Sequence, residues 1–290
     1  QVRKGPVDSL HSLGPNSATA MAQTEPGVQL LNTDLGEDGA PTNAEVRSKQ
    51  LRSNFWLMAF TFSINHATVT TPFVFASSVL LEEVGFVGNA ILNFGTMLTS
   101  LFIAPYVCTS LGSKGGMLVG MSLYAVYVAC SAVAASNCGE TGLDKNGHSI
   151  CKESSTVQWG TFVVGSIVGG LGAGILWLSE GAFFAATSEV LAEVENKPAP
   201  ALTAELAGRF AIVYLVFEVL AKLGATGLSK AGMSFPAIFF VYAGLAVAAA
   251  VVFCFAKPVV STKPGPTPSL CGKVTAAVSL WPDVKIWLLS

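Results

Sequence analysis

The hydrophobic positions of this chain fall into six long runs that follow a polar N-terminal segment. Each run is about 20 residues long, which is the length that an α-helix needs to cross the roughly 30 Å hydrocarbon core of a bilayer. A backbone inside lipid must satisfy its own hydrogen bonds, and a β-barrel would show short segments of alternating polarity instead. The pattern therefore predicts six transmembrane helices, at 54–80, 84–110, 115–136, 158–187, 206–229 and 235–256.

These helices divide the chain into four regions. Residues 1–42 are rich in Gly, Pro, Ser, Asn and Asp without a sustained apolar period, which predicts a disordered polar tail. The six-helix bundle occupies 43–256, and Asn43 is its predicted N-cap. A polar linker follows at 257–283, and residues 284–290 begin a seventh, truncated apolar run, so we expect a fragment of a longer chain.

The composition agrees with a membrane protein. Only 12% of the residues are charged and 51% are hydrophobic, with a mean hydropathy of +0.57, whereas a soluble domain carries about 25% charged residues. The net charge of −2 and the lack of a basic patch exclude a nucleic-acid partner. No nucleophile–base set, metal-ligand cluster or cofactor loop is present in the sequence, so we expect no enzyme, no catalytic residue, no metal and no cofactor.

Positive charges predict the orientation of this multi-pass protein. Cytoplasmic loops carry an excess of Lys and Arg. With the N-terminus in the cytoplasm, only Lys145, Lys152 and Lys230 lie in outer loops. The linker is then cytoplasmic as well, while the identity of the membrane stays open. The residues that would lie on the inner side are Arg47, Lys49, Arg52, Lys114, Lys197, Arg209, Lys257, Lys263 and Lys273.

The predicted outer loop "NCGETGLDKNGHSIC" contains two cysteines, Cys138 and Cys151. In an oxidising compartment these two thiols would form a disulfide. In a reducing compartment they would stay free. The sequence alone leaves both alternatives open.

Polar and ionisable residues interrupt four of the six apolar runs. A charged side chain at the bilayer centre costs about 3 kcal/mol on insertion scales, so such groups face a protein interior or a water-filled cavity. Helices one, two, four and five are therefore expected to line an interior, with helices three and six facing lipid. The candidate cavity and coupling residues are Asn65, His66, Asn93, Glu180, Glu218 and Lys222.

Each of the ionisable candidates has two interpretations. Glu218 and Lys222 are four residues apart and share a helix face, as either a structural ion pair or a coupling pair for solute or ion movement. His66 is either a proton relay near mid-membrane or a hydrogen-bonding partner of a neighbouring helix. Glu180 is expected near the cytoplasmic end of a polar cavity.

The fourth run is unusually rich in glycine. Gly165 and Gly169, like Gly170 and Gly174, are four residues apart, which is the small-xxx-small pattern of close helix packing in membranes. We therefore expect these four glycines to pack against another helix of the same bundle.

Two stretches have a more specific pattern. The stretch "LGAGILWLSEGAFF" places Trp177 four residues before Gly181, and "SLFIAPYVCTSLGSKGGMLVGMSLYAVYVA" contains a Leu-Gly-x-Lys loop that begins at Leu111. Together they resemble the uncoordinated-ninety-three-like family, a branch of the major facilitator superfamily. Glu180 stands where that family has Gln. The remaining matches are Gly172, Phe183 or Phe184, Ala104, Pro105, Gly112, Lys114, Tyr124 and Gly224. Ala225 departs from the Asn of the family, and Thr109 and Ser110 replace the Asp and Arg of the superfamily's Gly-x-x-x-Asp-Arg-x-Gly-Arg motif.

This resemblance implies a twelve-helix major facilitator fold, of which the chain holds the six-helix N-terminal half. It also implies an ion-channel regulatory, potassium-linked protein with an ion channel or another membrane protein as partner. One alternative is a secondary transporter of a small solute or ion, coupled to protons through His66 and Glu218. A second alternative is a structural subunit that packs into a larger membrane complex through the glycine face of helix four. The lipid bilayer surrounds the protein in each case.

Overall fold

The computed structural model describes residues 43–143 and 149–259 of the 290-residue chain. The predicted tail, the linker from residue 260 onward and the start of a seventh helix lie outside the described residues. A π-helical segment, Thr99–Ile103, joins the second and third helices. The elements are α1 (Asn43–Val79), α2 (Glu82–Leu98), α3 (Ala104–Ser136), β1 (Cys138–Leu143), β2 (Ser149–Ser154), α4 (Thr156–Val194), α5 (Ala199–Lys230) and α6 (Phe235–Phe253).

Four helical segments are long and apolar enough to span a membrane, namely Glu82–Ser136, Thr156–Val194, Ala199–Lys230 and Phe235–Phe253. The first of these is 55 residues long. The 37-residue α1 is also long enough, but its buried side includes polar residues such as Asn65 and His66, which lower its hydropathy. The described part of the chain is thus consistent with an all-α membrane protein.

The 55-residue segment turns sharply at Gly112, which lies within α3. Gly112 has φ 70° and ψ 170°, a conformation that side chains disfavour. A Cβ atom there would meet nothing within 4 Å, so the backbone angle, rather than close packing, is what favours glycine. The turn falls in the Leu-Gly-x-Lys loop, between the predicted second and third helices.

The predicted second helix contains an irregularity that its apolar pattern does not show. The π-helical segment lies directly before Pro105, which is in the first turn of α3. Proline donates no hydrogen bond and its ring crowds the carbonyl of the residue four positions earlier, Leu101. A local π-helical turn widens the ladder at that point and accommodates the ring.

Three helices extend beyond their apolar runs, all toward one side of the bundle. Helix α1 begins at Asn43, the predicted N-cap, before its apolar run at 54–80, whereas α4 ends at 194 instead of 187 and α5 begins at 199 instead of 206. Ion pairs join these ends. The Arg52 guanidinium lies 2.7 Å from Glu195 and 3.2 Å from Glu205, and Lys197 lies 2.8 Å from Glu195. Hydrogen bonds from Arg52 hold the pKa of the Glu195 carboxyl well below its usual range.

The third helix buries one side in the bundle, whereas it was expected to face lipid. The large side chains of that side include Met117, Met121 and Tyr127, each at 0% exposure, while Val126 on the other side is 46% exposed. Glycine makes this possible, because a Cβ at Gly116 or Gly120 would lie within 3 Å of α4 atoms. The positions of polar and ionisable residues did not predict this role, because small residues also place helices in close contact in a membrane.

The fifth helix is the outermost, and only Leu202, Leu206 and Ala225 of its side chains are buried. Most of its apolar surface therefore faces outward, while the edge that carries Glu218 turns toward α1. Helix α6 buries one stripe, including Phe239, and exposes the other side, in line with the expectation that it faces lipid.

The glycines of α4 allow this helix to pack closely between α2 and α3. A Cβ at Gly165 would lie 2.6 Å from the Cβ of Cys130 in α3. At Gly170 it would lie 2.8 Å from the carbonyl oxygen of Leu92 in α2, and at Gly174 it would lie 2.7 Å from the Ser100 nitrogen. Gly169 faces side chains of both neighbours, Tyr127 and Leu92, at 3.0 and 3.2 Å. The glycine face is therefore covered within the bundle, and a structural subunit would have to use a different surface.

A short antiparallel hairpin, β1–β2, connects α3 to α4. A disulfide joins Cys138 to Cys151 across it, with a Cα–Cα distance of 5.7 Å. Of the two alternatives left open by the sequence, the structure therefore contains the bond.

We expect loss of this disulfide to lower the free energy of unfolding by about 3 kcal/mol, which is the chain-entropy value for a loop of this size. The change is Cys138→Ala together with Cys151→Ala, and the measurement is denaturant unfolding in detergent micelles with and without reductant. Cys254→Ser removes an exposed free thiol and should unfold like the unmodified protein. Equal unfolding midpoints for the unmodified protein and the double variant would contradict the prediction.

Candidate functional site

Helical spacing places polar side chains on one face of α1 and on one face of α5, and these two faces meet inside the bundle. On α1, His66 and Thr70 are four residues apart, so they lie on one face. On α5, Tyr214, Glu218 and Lys222 repeat at the same interval and share a face in the same way. The contact between α1 and α5 brings the two faces together, and we call these five residues the His66 cluster.

Glu218 is the centre of the His66 cluster. Its Oε1 lies 2.7 Å from His66 Nδ1, and its Oε2 accepts a hydrogen bond of 2.8 Å from the Thr70 hydroxyl. The Lys222 ammonium pairs with the same Oε2. The side chain of Glu218 is 13% exposed and that of His66 is 8% exposed. Three donors therefore hold one carboxylate, with little access from outside.

These contacts define the protonation pattern of the cluster. An ionised carboxylate only accepts hydrogen bonds, so the 2.7 Å contact assigns a hydrogen to His66 Nδ1. The Tyr214 hydroxyl lies 3.3 Å from Nδ1 and adds a further polar group next to the ring.

Aromatic rings surround the imidazole of His66. Phe62 stacks on it with ring centroids 5.7 Å apart and planes within 10°. Trp177 meets it edge-on at 5.1 Å, and Tyr214 and Tyr124 lie at 5.2 and 6.0 Å. Four rings thus fix the orientation of the imidazole and limit the approach of water.

A small cavity of about 180 Å³ lies next to His66 and the aromatic rings around it. Four helices contribute to it, because His66 and Thr70 come from α1, Asn93 from α2, Tyr124 from α3 and Trp177 from α4. Asn93 donates to the carbonyl oxygen of Asn89, one turn earlier on its own helix. The cavity therefore offers a mixed polar and aromatic wall to a small molecule.

Four of the six candidate residues lie in the cluster or line its cavity, and the other two, Asn65 and Glu180, lie elsewhere. His66, Glu218 and Lys222 belong to the cluster, and Asn93 lies across the cavity from it. Asn65 faces away, and its amide donates to the carbonyl oxygens of Met121 and Ala246 at 3.3 and 3.1 Å, tying α1 to α3 and α6.

Glu180 lies apart from the cluster. The residue is 8% exposed and does not line the cavity next to His66. Within the described ranges, the Glu180 carboxylate has no hydrogen-bond or ion-pair partner. The expectation of a polar cavity at Glu180 therefore finds no counterpart among the described residues.

Three residues of the candidate site were not among the predicted site residues, namely Thr70, Tyr214 and Trp177. Thr70 follows His66 by four residues, and Tyr214 precedes Glu218 by four, so helical spacing from the candidates was a usable signal for both. Trp177 was noticed only for its place in the family signature. Its contact with His66 joins residues of two helices and has no local signal.

Searches of this chain against protein-family models, curated proteins and solved structures give no match. The likeness to the uncoordinated-ninety-three-like family therefore stays a prediction from the motifs quoted above. The buried His66 cluster and its cavity are the features from which a function can be inferred.

Proposed function

We propose that this protein moves a small solute or ion across a membrane and couples that movement to protons through His66 and Glu218. The observation that carries the proposal is the 2.7 Å contact between a partly buried carboxylate and a buried histidine that lines a cavity. Ionisable groups inside membrane helices are costly and mark proton relays and substrate pathways. A structural ion pair needs only Glu218 and Lys222, and it leaves His66 and the cavity unexplained.

In this proposal, coupling arises because the cationic groups of His66 and Lys222 compete for the Glu218 carboxylate. When His66 is neutral, Lys222 on the same helix supplies the positive charge next to Glu218. When His66 is protonated, Glu218 faces a second cation from α1, and attraction between α1 and α5 increases. Because a proton binds better to the arrangement that it stabilises, it shifts the population toward the tighter α1–α5 contact. A solute in the cavity that contacts His66 would sense the same change.

The architecture in this proposal is the six-helix N-terminal half of a major facilitator fold. Support comes from the order of six helices, the turn at Gly112 in the Leu-Gly-x-Lys loop and the position of the cavity between helices. The extended end of α1 carries Arg47 and Arg52, and the connection between α4 and α5 carries Lys197, which favours the cytoplasm for that end under the positive-inside rule.

The proposal can be tested with full-length protein in vesicles that enclose a pH-sensitive dye. We expect at least one member of a panel of small solutes to drive proton movement, and we expect His66→Gln and Glu218→Gln to abolish it. His66→Gln keeps a hydrogen-bond donor for Glu218, so it tests protonation without removing the contact. Glu180→Gln neutralises a buried carboxylate outside the cluster and is the matched control. Proton movement that survives both cluster variants, or that is lost only in Glu180→Gln, would refute the proposal.

The second candidate is an ion-channel regulatory protein, as the family resemblance implies. The observation that favours it is the outward apolar side of α5, where Ile212, Leu215 and Leu223 are each at least 59% exposed. In a membrane such a side contacts lipid or another helix. Co-expression with potassium channels decides the matter: altered currents that are lost in Leu215→Asn but kept in His66→Gln would favour regulation over transport.

A further inference from the structure

A second concave site lies on the outside of the bundle and shares no lining residue with the cavity beside His66. It is an apolar groove of about 450 Å³ between α3 and α6. On α3 its wall includes Leu118, Ser122, Ala125 and Ala129, a single stripe along the helix. The Ser122 hydroxyl donates to the carbonyl oxygen of Leu118, so it presents no strong polar group to the groove.

Small side chains form the floor of this groove. Ala125 and Ala129 of α3 and Ala250 of α6 line it and are buried or half-buried, while the larger Val126 and Val251 are 46% and 55% exposed and form its rim. From Leu118 to Ala129 the helix rises about 16 Å, at 1.5 Å per residue. That length is close to half of the roughly 30 Å hydrocarbon core. The groove therefore matches the depth of one leaflet.

A lysine lies at one end of the same stripe. Lys114 is one turn before Leu118, and its ammonium donates to the carbonyl oxygen of Cys254 at 2.8 Å. Cys254 itself lines the groove. An ammonium group has three donors, so two remain for a ligand beyond the contact found among the described residues. The groove is thus apolar along its length and cationic at its end.

We propose that this groove binds one acyl chain of an anionic phospholipid, with the lipid phosphate at Lys114. Charge and length together favour this occupant. A sterol has no anionic group for Lys114, and a transmembrane helix would have to fit its own side chains into a groove of about 450 Å³. Lys114 lies on the side predicted to be cytoplasmic, where anionic lipids attract juxtamembrane basic residues.

The proposal is tested by native mass spectrometry on the full chain, stripped of lipid in detergent. The probes are phosphatidylglycerol and phosphatidylcholine with identical acyl chains. We expect phosphatidylglycerol to bind about fivefold more tightly, the gain from one lysine near a lipid surface. Lys114→Gln keeps a donor for Cys254 and should remove the difference, whereas Lys114→Arg should keep it.

Filling the groove separates it from the rest of the apolar surface. Ala129→Trp should lower the retention of both lipids at least tenfold, and Ala250→Leu should lower it by less. Ala248→Trp is the matched control, because Ala248 is exposed on α6 and does not line the groove. Equal affinity for the two lipids, or equal retention by Ala129→Trp and Ala248→Trp, would overturn the proposal. So would a dimer that Ala129→Trp dissociates, since a second copy would then be the occupant.

Discussion

Gly170→Leu is expected to lower the free energy of unfolding by about 3 kcal/mol, which is the upper part of the range for overpacking a close interface. A Cβ at Gly170 would lie 2.8 Å from the Leu92 carbonyl oxygen and 3.1 Å from the Gly95 Cα. Both atoms belong to the backbone of α2, so no side-chain rotation can relieve the contact. The two helices would have to separate along their whole line of contact.

Gly181→Leu is the matched control on the same helix. A Cβ at Gly181 would meet nothing within 4 Å, so the change should stay within about 1 kcal/mol, with a gain from the better helix propensity of Leu. Gly169→Leu should fall between the two, because its nearest atoms belong to the side chains of Tyr127 and Leu92. The measurement is equilibrium unfolding in mixed micelles. Equal stability of Gly170→Leu and Gly181→Leu would exclude glycine packing as the reason for this pattern.

The helices themselves were largely predictable from the sequence, while some of their ends were not. Runs of apolar residues mark what must lie in lipid, and the turn at Gly112 follows a loop signature visible in the sequence. The start of α1 at Asn43 agrees with its predicted N-cap, but the extension of α4 to residue 194 is stabilised by Glu195 meeting Arg52, which is 143 positions away in the chain. Such a contact exists only after the helices have packed, so no local pattern encodes it.

The inner position of α3 was missed for a different reason. Gly116 and Gly120 are four residues apart, the same pattern that identified the packing face of α4. They face Ser179 and Leu176 of α4 across the closest helix contact. The signal was present in the sequence, but the prediction ranked helices by charge alone. In lipid, close backbone approach and polar contacts both drive helix association.

Helical spacing in the sequence predicts only part of the candidate site. The interval from Glu218 to Lys222 predicts one helix face, and the structure pairs them. The partner His66 is 152 residues from Glu218, and its contact depends on the register of α1 against α5. Asn65 shows that neighbouring positions in the sequence need not belong to the same site. It precedes His66 by one position, which is about 100° around a helix, and so it faces α3 and α6 instead of α5.

Removal of Glu218 is expected to be more harmful than removal of its cationic neighbour. Glu218→Gln leaves the Lys222 ammonium without its counter-ion in a site with limited exposure. Breaking a fully buried pair costs about 3–5 kcal/mol. The Lys222 side chain is 32% exposed, so we expect a loss of about 2–3 kcal/mol in the free energy of unfolding.

Lys222→Met should cost less, because Glu218 keeps His66 at 2.7 Å and Thr70 at 2.8 Å. The double variant Glu218→Gln/Lys222→Met leaves no charge unpaired between these two positions. It should therefore be less destabilised than the sum of the single changes, with a coupling energy of about 1–3 kcal/mol. Unfolding titrations of the four proteins give this coupling directly. Glu205→Gln, which removes a carboxylate near the exposed end of α5, should cost less than 1 kcal/mol. If the double variant proves less stable than either single variant, the Glu218–Lys222 pair does not stabilise the fold through charge.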